Sequence, residues 1–345
     1  MFAGHYVVVR ALIRRGAESL VLFWLVVSLT FLLAHFAPGD AADLLVSPSA
    51  SPDDVARLRR TLGLDASFAE QYARWIGGAL SGNLGDSFAL REPVATVLWR
   101  ALPVSLALGA ASLTLTFLVG VLAGLYQASQ RGRWPDRVLT ALGITVYAAP
   151  SFWLALSLVA LFTAGAAWWD FPQWLRLPAF GVRSPASTAT GWRAMVEVAR
   201  HAILPVTVLA AVGAAGIARY ARAAALDLTD SDWVRTARAK GVREGVVMRR
   251  HVLANALAPL VVLLALSLPG IVAGSVFVEG VFAWPGMGRA LLSAIAARDF
   301  PVVMGATVVY AGLVIISNAL ADVALHLLDP RRRTADARGA RGRSP

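Results

Sequence analysis

Six long apolar runs, separated by polar segments, dominate the pattern of the chain. A helix needs about 20 mostly apolar residues to cross the hydrocarbon of a bilayer, whereas buried strands of water-soluble proteins give runs of about 4–8 residues. The pattern therefore predicts an all-α integral membrane protein with six transmembrane helices within residues 17–327. The predicted spans are residues 17–37, 103–127, 140–164, 201–218, 256–279 and 302–327.

The first run has the form of a secretory signal peptide, because Arg10, Arg14 and Arg15 precede it. It is longer than the apolar part of a typical signal peptide, and no clear Ala-x-Ala cleavage site follows in the sequence LLAHFAPGD. We therefore expect a retained first helix, preceded by a cytoplasmic segment of residues 1–16. Cleavage after this run is the alternative.

The composition supports a membrane-embedded chain. Of the 345 residues, 57% are hydrophobic and 15% are charged, where a soluble domain would have about 25% charged residues. The absence of cysteine excludes disulfides, thiol catalysis and cysteine-ligated metals.

A net charge of +11 is compatible with binding to nucleic acid, but the basic residues lie in blocks between the apolar runs. Such blocks orient a membrane protein with its basic loops inside, so we expect membrane lipid around the chain and no nucleic acid. With the N-terminus inside, 20 of the 32 basic residues are cytoplasmic. The cytoplasmic parts then include a loop at 219–255 and a basic tail at 328–345, which is predicted to be disordered. An even number of spans places both termini in the cytoplasm.

Two of the three segments that fall on the outer side in this arrangement are residues 38–102 and 165–200. Within the first, residues 51–63 predict a helix with Ser51 as N-cap and Gly63 as its stop. The second holds four tryptophans, which are typical of the membrane interface; stacking on a ligand is the alternative.

Several kinds of catalytic chemistry are missing. A phosphate-binding P-loop requires Gly-Lys-Ser/Thr, and the only lysine, Lys240, follows an alanine. The His-Glu-x-x-His zinc motif and the Gly-x-Ser-x-Gly elbow do not occur. The spans are nearly free of the carboxylates and histidines that ion coupling requires. The chain is therefore not expected to be an enzyme or to hold a cofactor, and a partner is expected to drive it.

The 219–255 loop contains a predicted short helix. Asp230 and Ser231 are candidate N-caps, and Gly241 ends the helical pattern. Three basic side chains give this helix a positive surface: Arg235, Arg238 and Lys240. Three small side chains would allow a partner's surface to come close: Thr236, Ala237 and Ala239. A solvated helix that faces anionic lipid is the alternative.

The stretch RTARAKG at 235–241, followed by RHVLANALAP, resembles the coupling-loop motif of ABC importer permeases of the dipeptide/oligopeptide branch. Arg235, Thr236 and Ala237 occupy the places of the generic Glu-Ala-Ala, and Gly241 matches the motif's glycine. Further stretches resemble the same family in the same order: FAPGD at 36–40, LGLD to GNLGDSF at 62–88, ALPVSLALG at 101–109, APSFWLAL at 149–156, VFVEGVFAWPGMG onward at 276–303 and LHLLDPRRR at 325–333.

The resemblance implies a type I ABC importer permease fold and a set of partners. These are a homologous, C-type permease subunit, two P-loop ATPase subunits that bind ATP and Mg²⁺, and an extracytoplasmic solute-binding protein. It implies that one short stretch contacts the ATPases: Arg235, Thr236, Ala237, Arg238, Lys240 and Gly241. Peptides are the leading substrate; nickel–chelator complexes, glutathione and other small solutes are alternatives.

Three residues near the predicted outer side, Glu279, Trp284 and Asp299, are candidate contacts for an outer gate or the binding protein. A helix-end hydrogen bond is the alternative for Glu279, and Asp299 is a candidate cap of the last span. An ion-coupled secondary transporter and a scaffold or receptor without transport activity remain as other classes. Co-purification of P-loop ATPases would separate them from an importer.

Overall fold

A computed structural model describes residues 2–36, 51–268, 270 and 276–328 of the chain. The described elements are helical apart from an isolated β-bridge between Asp86 and Pro93. The longer helices, in chain order, are α1 (Phe2–Phe36), α2 (Pro52–Leu62), α3 (Phe68–Ser81), α4 (Val94–Ser129), α5 (Trp134–Ala148), α6 (Ser151–Ala160), α7 (Gly191–Thr229), α8 (Asp232–Ala239), α9 (Ala254–Ser267), α10 (Val276–Val281), α11 (Met287–Ala296) and α12 (Phe300–Leu328).

Five described helical segments are long and apolar enough to cross a membrane, and they overlap five of the six predicted spans. They are Gly16–Phe36, Val94–Ser129, Ser151–Trp168, Gly191–Thr229 and Phe300–Val323. The remaining prediction, 256–279, lies partly outside the described residues and stays a prediction. The tail at 329–345 and residues 37–40 of the FAPGD stretch also lie outside them.

The predicted third span, 140–164, is wrong as a single helix. α5 ends at Ala148, Ala149 has an extended backbone with ψ 133°, and α6 starts after Pro150. Proline lacks the amide hydrogen that a continuing helix needs and disfavours helical geometry in the residue before it. The segment Ser151–Trp168 is therefore the apolar span, and α5 is a separate helix.

The predicted fourth span, 201–218, lies inside a longer helix that extends beyond it at both ends. α7 runs for 39 residues, a length of about 58 Å at 1.5 Å per residue, whereas the hydrocarbon core is about 30 Å thick. Residues 191–200 of the predicted outer loop and residues 219–229 of the predicted cytoplasmic loop are therefore part of this helix. The sequence ARYARAAALDLT, rich in alanine, leucine and arginine, favours helix although it is polar.

The helix predicted at residues 51–63 is confirmed as α2. Ser51 and Asp54 form a reciprocal capping box, and Pro52 occupies the first turn. Gly63 ends the helix in the left-handed region at φ 67°. The local sequence fixes both ends of α2, as capping chemistry requires.

The described residues divide into two compact units. The first combines the chain up to Val104 with Gly286–Ile316. Its core joins the start of α4 to α11 and α12 through buried apolar side chains, among them Val94, Leu98, Met287, Val302 and Ala306. In the same unit, the Phe31 ring of α1 meets Phe68 and Tyr72 of α3 edge to face.

The second unit comprises Ser105–Pro285 and the described residues from Ser317 onward. In it α4 and α7 cross closely at Gly120 and Gly124, a small-xxx-small spacing typical of membrane helix pairs. A Cβ atom on Gly124 would lie 2.7 Å from Ala221 Cβ and 2.9 Å from the Arg222 amide nitrogen. Only glycine allows this approach, and it fixes the position of α7 beside α4.

Candidate coupling site

The helix predicted from the basic motif is present as α8, and its two ends differ in their chemistry. Ser231 is the N-cap residue, as predicted, but its hydroxyl donates to Leu228 O at 2.5 Å and makes no side-chain cap. At the other end Gly241 N–H donates to Arg238 O at 2.9 Å and Val242 N–H donates to Ala237 O at 3.2 Å. These two bonds, with Gly241 at φ 76°, form a Schellman C-cap that turns the chain away from the helix.

Gly241→Ala is expected to fray the end of α8. Alanine in the left-handed region costs about 1 kcal/mol, and a Cβ there meets no atom within 4 Å, so the cost is backbone strain alone. Hydrogen exchange at the amides of residues 241 and 242 should become several-fold faster. Gly245→Ala is the matched control, because Gly245 lies in a helix of the same loop and also has open space around it. Equal exchange in both variants would contradict the strain assignment.

One face of α8 is buried against its own chain. Val234 and Ala237 pack in a cluster whose other buried members are Ala128, Ala225, Val247, Met248 and Val252. Ala237 is only 7% exposed, so its small side chain permits close contact with this cluster. Ala237 thus packs within its own chain, and its contact with a partner's surface stays a prediction.

Arg238 and Glu244 form a two-pronged ion pair that closes the loop after α8. The guanidinium donates to both Glu244 carboxylate oxygens at 2.6 and 3.0 Å and to Thr229 O at 3.3 Å. The Arg238 hydrogen bonds hold the pKa of Glu244 below its ordinary value, so the carboxylate stays ionised near neutral pH. Arg238 therefore positions α8, and its charge is already balanced within the loop.

The remaining predicted residues are exposed, and together with Trp233 they form a surface that we call the α8 face: Arg235, Thr236 and Lys240. Trp233 is 50% exposed. Arg235 makes a loose ion pair with Asp232 at 3.8 Å, with both side chains mostly in solvent. The α8 face is thus a basic, partly aromatic surface on a helix whose other side is anchored. Its contact with ATPase subunits stays a prediction at this point.

A buried ion pair lies next to this anchor and has no signal in the local sequence. Arg222 of α7 donates from Nε and Nη2 to the two Asp136 oxygens of α5, both at 2.8 Å. Gly132 N–H adds a third bond at 3.0 Å to a carboxylate that is nearly fully buried. The partners are 86 residues apart, so spacing within either helix could not have indicated the pair.

Glu279 and Trp284 are both buried within the chain. Glu279 accepts a hydrogen bond from Ser105 Oγ at 2.7 Å, and its carbonyl accepts the Trp284 backbone N–H at 2.8 Å. The Trp284 indole nitrogen has no hydrogen-bond partner among the described residues. The structure brings these two residues together, and their role in a gate or a binding-protein contact stays a prediction.

Asp299 precedes α12, as predicted, but its carboxylate is used elsewhere. It accepts bonds from Ser87 Oγ at 2.5 Å and from the backbone N–H groups of Phe88 and Ala89 at 3.2 and 3.1 Å. Asp299 therefore fixes the loop before α4 to the start of α12. Ser87 lies in the quoted GNLGDSF stretch, but a separation of 212 residues hides its partner from sequence reasoning.

A cavity of about 360 Å³ opens along the apolar helices of the second unit. It is lined by α4, by Ser151 at the start of α6, by α7 and by the end of α9. Among its lining residues are four hydroxyl side chains, Ser112, Thr116, Ser151 and Ser267. The wall is mostly apolar and uncharged, with these hydroxyl groups at intervals along it, which is compatible with passage of a solute and costs little within a membrane.

Five described segments that are long and apolar enough to cross a membrane indicate a multi-pass membrane protein, and the short helix α8 presents a basic, exposed side. Comparison with known families specifies the class. Residues 100–334 match the binding-protein-dependent transport system inner membrane component family, and residues 8–109 match the N-terminal family of such membrane components. The chain belongs to this family, which confirms the resemblance found in the sequence.

Relatives match almost end to end. A putative peptide permease protein of Brucella ovis is 37% identical over 306 residues, covering 88% of this chain and 92% of the relative. The oligopeptide transport system permease protein AppB of Bacillus subtilis is 32% identical over 321 residues, covering 93% and 98%. The glutathione transport system permease protein GsiC of Escherichia coli is 33% identical with the same coverage. The chain is thus a multi-pass inner-membrane permease subunit of an ABC importer, and separate ATPase subunits hydrolyse the ATP.

Proposed function

We propose that this permease subunit imports di- or oligopeptides, with both termini in the cytoplasm and the α8 face docked on an ATPase subunit. The observation that carries the docking is the contrast between the two sides of α8: Val234 and Ala237 are buried in the chain, while Arg235 and Lys240 are exposed and basic. A helix held in this way transmits a displacement instead of absorbing it. The names of the Brucella and Bacillus relatives support peptides as the substrate class.

The partners follow from this role. Two P-loop ATPase subunits bind ATP and Mg²⁺, since this chain's only lysine is on the α8 face and outside any P-loop pattern. A homologous C-type permease completes the pathway, and an extracytoplasmic binding protein delivers the solute. Glutathione is the second substrate candidate, because a glutathione permease is equally similar along the chain. Nickel–chelator complexes remain a further alternative.

The hydroxyl-lined cavity suggests where the translocation pathway runs along this subunit. Its wall takes residues from α4, α7 and α9, helices that the sequence assigns to spans two, four and five. A solute passing between two permease subunits needs such polar groups at intervals along an otherwise apolar wall. We therefore assign Ser112, Thr116, Ser151 and Ser267 to the pathway side of this subunit.

Reversing charge on the α8 face is expected to uncouple transport. Arg235→Glu and Lys240→Glu should each lower ATP-dependent uptake about tenfold, because the substituted carboxylate repels an acidic surface that the native cation attracts. The buried side of α8 is unchanged, so the amount of inserted protein should equal wild type. Uptake of a labelled dipeptide into vesicles and co-purification of the ATPase subunits measure the two effects.

Arg133→Glu is the control for charge reversal on the same side of the membrane, because Arg133 lies in the short loop between α4 and α5. It should leave uptake within about twofold of wild type, as expected for an exposed charge away from an interface. Wild-type uptake by both α8-face variants would contradict the docking assignment. If uptake is lost while the ATPase subunits still co-purify with the variant, charge repulsion is not the cause of the lost uptake.

A further inference from the structure

A second cavity in the second unit lies between the end of one span and the start of another. It has a volume of about 680 Å³. One wall is the π-helical turn Leu161–Gly165 with the turn that follows, another is the segment 176–180, and the third is the first turns of α7. The cavity is thus at the membrane boundary of the span Ser151–Trp168.

The cavity carries unbalanced positive charge. Arg176, Arg193 and Arg200 line it together with a single carboxylate, Glu197. Each Glu197 oxygen already accepts one hydrogen bond, from the Ser184 backbone N–H at 2.9 Å and from the Ser187 hydroxyl. Arg176 is also engaged, with Phe171 O and Asp170. The cavity therefore has a surplus of cationic donors.

Two guanidinium groups in the cavity wall retain unused donor capacity. Arg193 makes no hydrogen bond or ion pair with any residue in the described ranges, and Arg200 makes only a long bond of 3.3 Å to Arg176 O. His201 is 4% exposed; its Nδ1 donates to Glu197 O at 2.9 Å, which leaves Nε2 as a further polar atom in the cavity wall. Two exposed guanidiniums with unused donors, beside one buried histidine, give the cavity wall groups that can bind an anion.

The surroundings indicate which anion. Four tryptophans that lie close along the chain are largely exposed: Trp168, Trp169, Trp174 and Trp192. Exposed tryptophans at span ends are typical of the lipid headgroup level. The cavity also has apolar walls from Phe162, Leu177 and Phe180. A small inorganic anion would leave these walls in contact with water, whereas a phospholipid would place its phosphate on the arginines and its glycerol and acyl segments against them.

We propose that this cavity binds the phosphate of an anionic phospholipid, with Arg193 and Arg200 as the phosphate ligands. The proposal rests on the membrane placement of α6 and α7 given above. Two arginines that approach one phosphate form charge-assisted, bidentate hydrogen bonds, which are stronger than those of a zwitterionic headgroup that supplies its own cation. The bound lipid would fill the space between the span Ser151–Trp168 and α7.

The test is lipid retention by the purified full chain, measured by native mass spectrometry with phosphatidylglycerol in competition with phosphatidylcholine of the same acyl chains. Wild type should retain phosphatidylglycerol in clear preference. Arg193→Gln/Arg200→Gln should reduce that preference about tenfold or more, because each basic side chain near a headgroup contributes roughly fivefold. Arg193→Lys/Arg200→Lys should recover most of it. Arg183→Gln is the matched control, since Arg183 is in the same segment but bonds to Ala189 O and does not line the cavity.

The outcomes are distinct. Equal retention of both lipids by wild type, or an unchanged preference in the double Gln variant, overturns the proposal. Displacement of phosphatidylglycerol by inorganic phosphate alone would identify a free-anion site instead. Loss of dipeptide uptake in the double Gln variant without any lipid preference in wild type would indicate a contact with the extracytoplasmic binding protein. Lipid retention requires no ATPase, so its result is independent of the α8-face experiment.

Discussion

Asp136→Ala is expected to lower the free energy of unfolding by about 3–5 kcal/mol, the range for removing one partner of a buried ion pair. The Arg222 guanidinium would then lose two hydrogen bonds of 2.8 Å, and because its side chain is 31% exposed, water can replace part of them and the loss should lie at the lower end of this range. The same change removes the acceptor for Gly132 N–H, which orders the turn between α4 and α5. The midpoint of thermal unfolding of the purified chain in mild detergent should fall by many degrees.

The control for this prediction is a surface ion pair on the same side of the second unit. Arg131 lies 3.8 Å from Asp230, and both side chains are mostly in solvent. Arg131→Gln should cost at most about 1 kcal/mol. Asp136→Leu combined with Arg222→Met should recover much of the loss, because neither charge is then left unpaired. A single Asp136→Ala effect as small as that of Arg131→Gln would contradict a structural role for the pair.

The pH dependence provides a second signature of the same pair. The hydrogen bond from Arg222 lowers the pKa of Asp136, although burial alone would raise it. A carboxyl with a depressed pKa stabilises the folded state above its unfolded-state pKa, about 4, and loses that contribution as the pH falls further. Wild type should therefore lose stability below about pH 4 by a larger amount than Asp136→Ala does.

The sequence predicted the features that local chemistry determines. Hydrophobic run length indicated the spans, the Ser51 to Gly63 pattern fixed both ends of α2, and Gly241 marked the end of α8. The break after Ala149 was also accessible, because Pro150 lies in the middle of the predicted third span. Hydropathy alone does not indicate this break, whereas the geometry that proline imposes does.

The remaining features depend on distant partners. Asp136 and Arg222, Ser87 and Asp299, and Ser105 and Glu279 are separated by 86 to 212 residues. None of these pairs has a recurrent spacing, so only the assembled helices reveal them. The same holds for Ala237. The sequence shows that its side chain is small, but only the folded structure shows that it packs in a cluster within its own chain.

One turn of α7 unites these contacts. Ala221 and Arg222 meet α4 at Gly124, Arg222 binds Asp136 of α5, and Ala225 belongs to the cluster that holds Val234 of α8. A displacement of α8 by a docked partner therefore reaches α7, α4 and α5 through direct contacts. α7 continues from this turn as an uninterrupted helix past the wall of the hydroxyl-lined cavity. This gives a physical route from the α8 face to the proposed pathway.

Gly124→Ala is expected to destabilise the second unit by about 1–3 kcal/mol, the usual cost of overpacking. Alanine is otherwise favoured over glycine inside a helix by about 1 kcal/mol, so the contact must outweigh a gain in helix propensity. The added Cβ would meet the backbone of α7, including the Ala218 carbonyl oxygen and the Arg222 amide nitrogen. A backbone cannot rotate away as a side chain can, so α4 and α7 must separate.

Gly312→Ala is the matched control, because Gly312 lies inside the apolar helix α12 and a Cβ there meets no atom within 4 Å. It should leave the thermal midpoint unchanged or slightly raised, whereas Gly124→Ala should lower it by several degrees. Gly120→Ala should follow Gly124→Ala, since its Cβ would lie 2.7 Å from Ile217 Cβ and 2.9 Å from Ala214 O. Because Gly124 contacts the turn that holds Arg222, Gly124→Ala should also reduce the further loss caused by Asp136→Ala, a coupling that a double-mutant cycle measures. Strict additivity of these two changes, or equal midpoints for Gly124→Ala and Gly312→Ala, would show that the helix crossing does not position the ion pair.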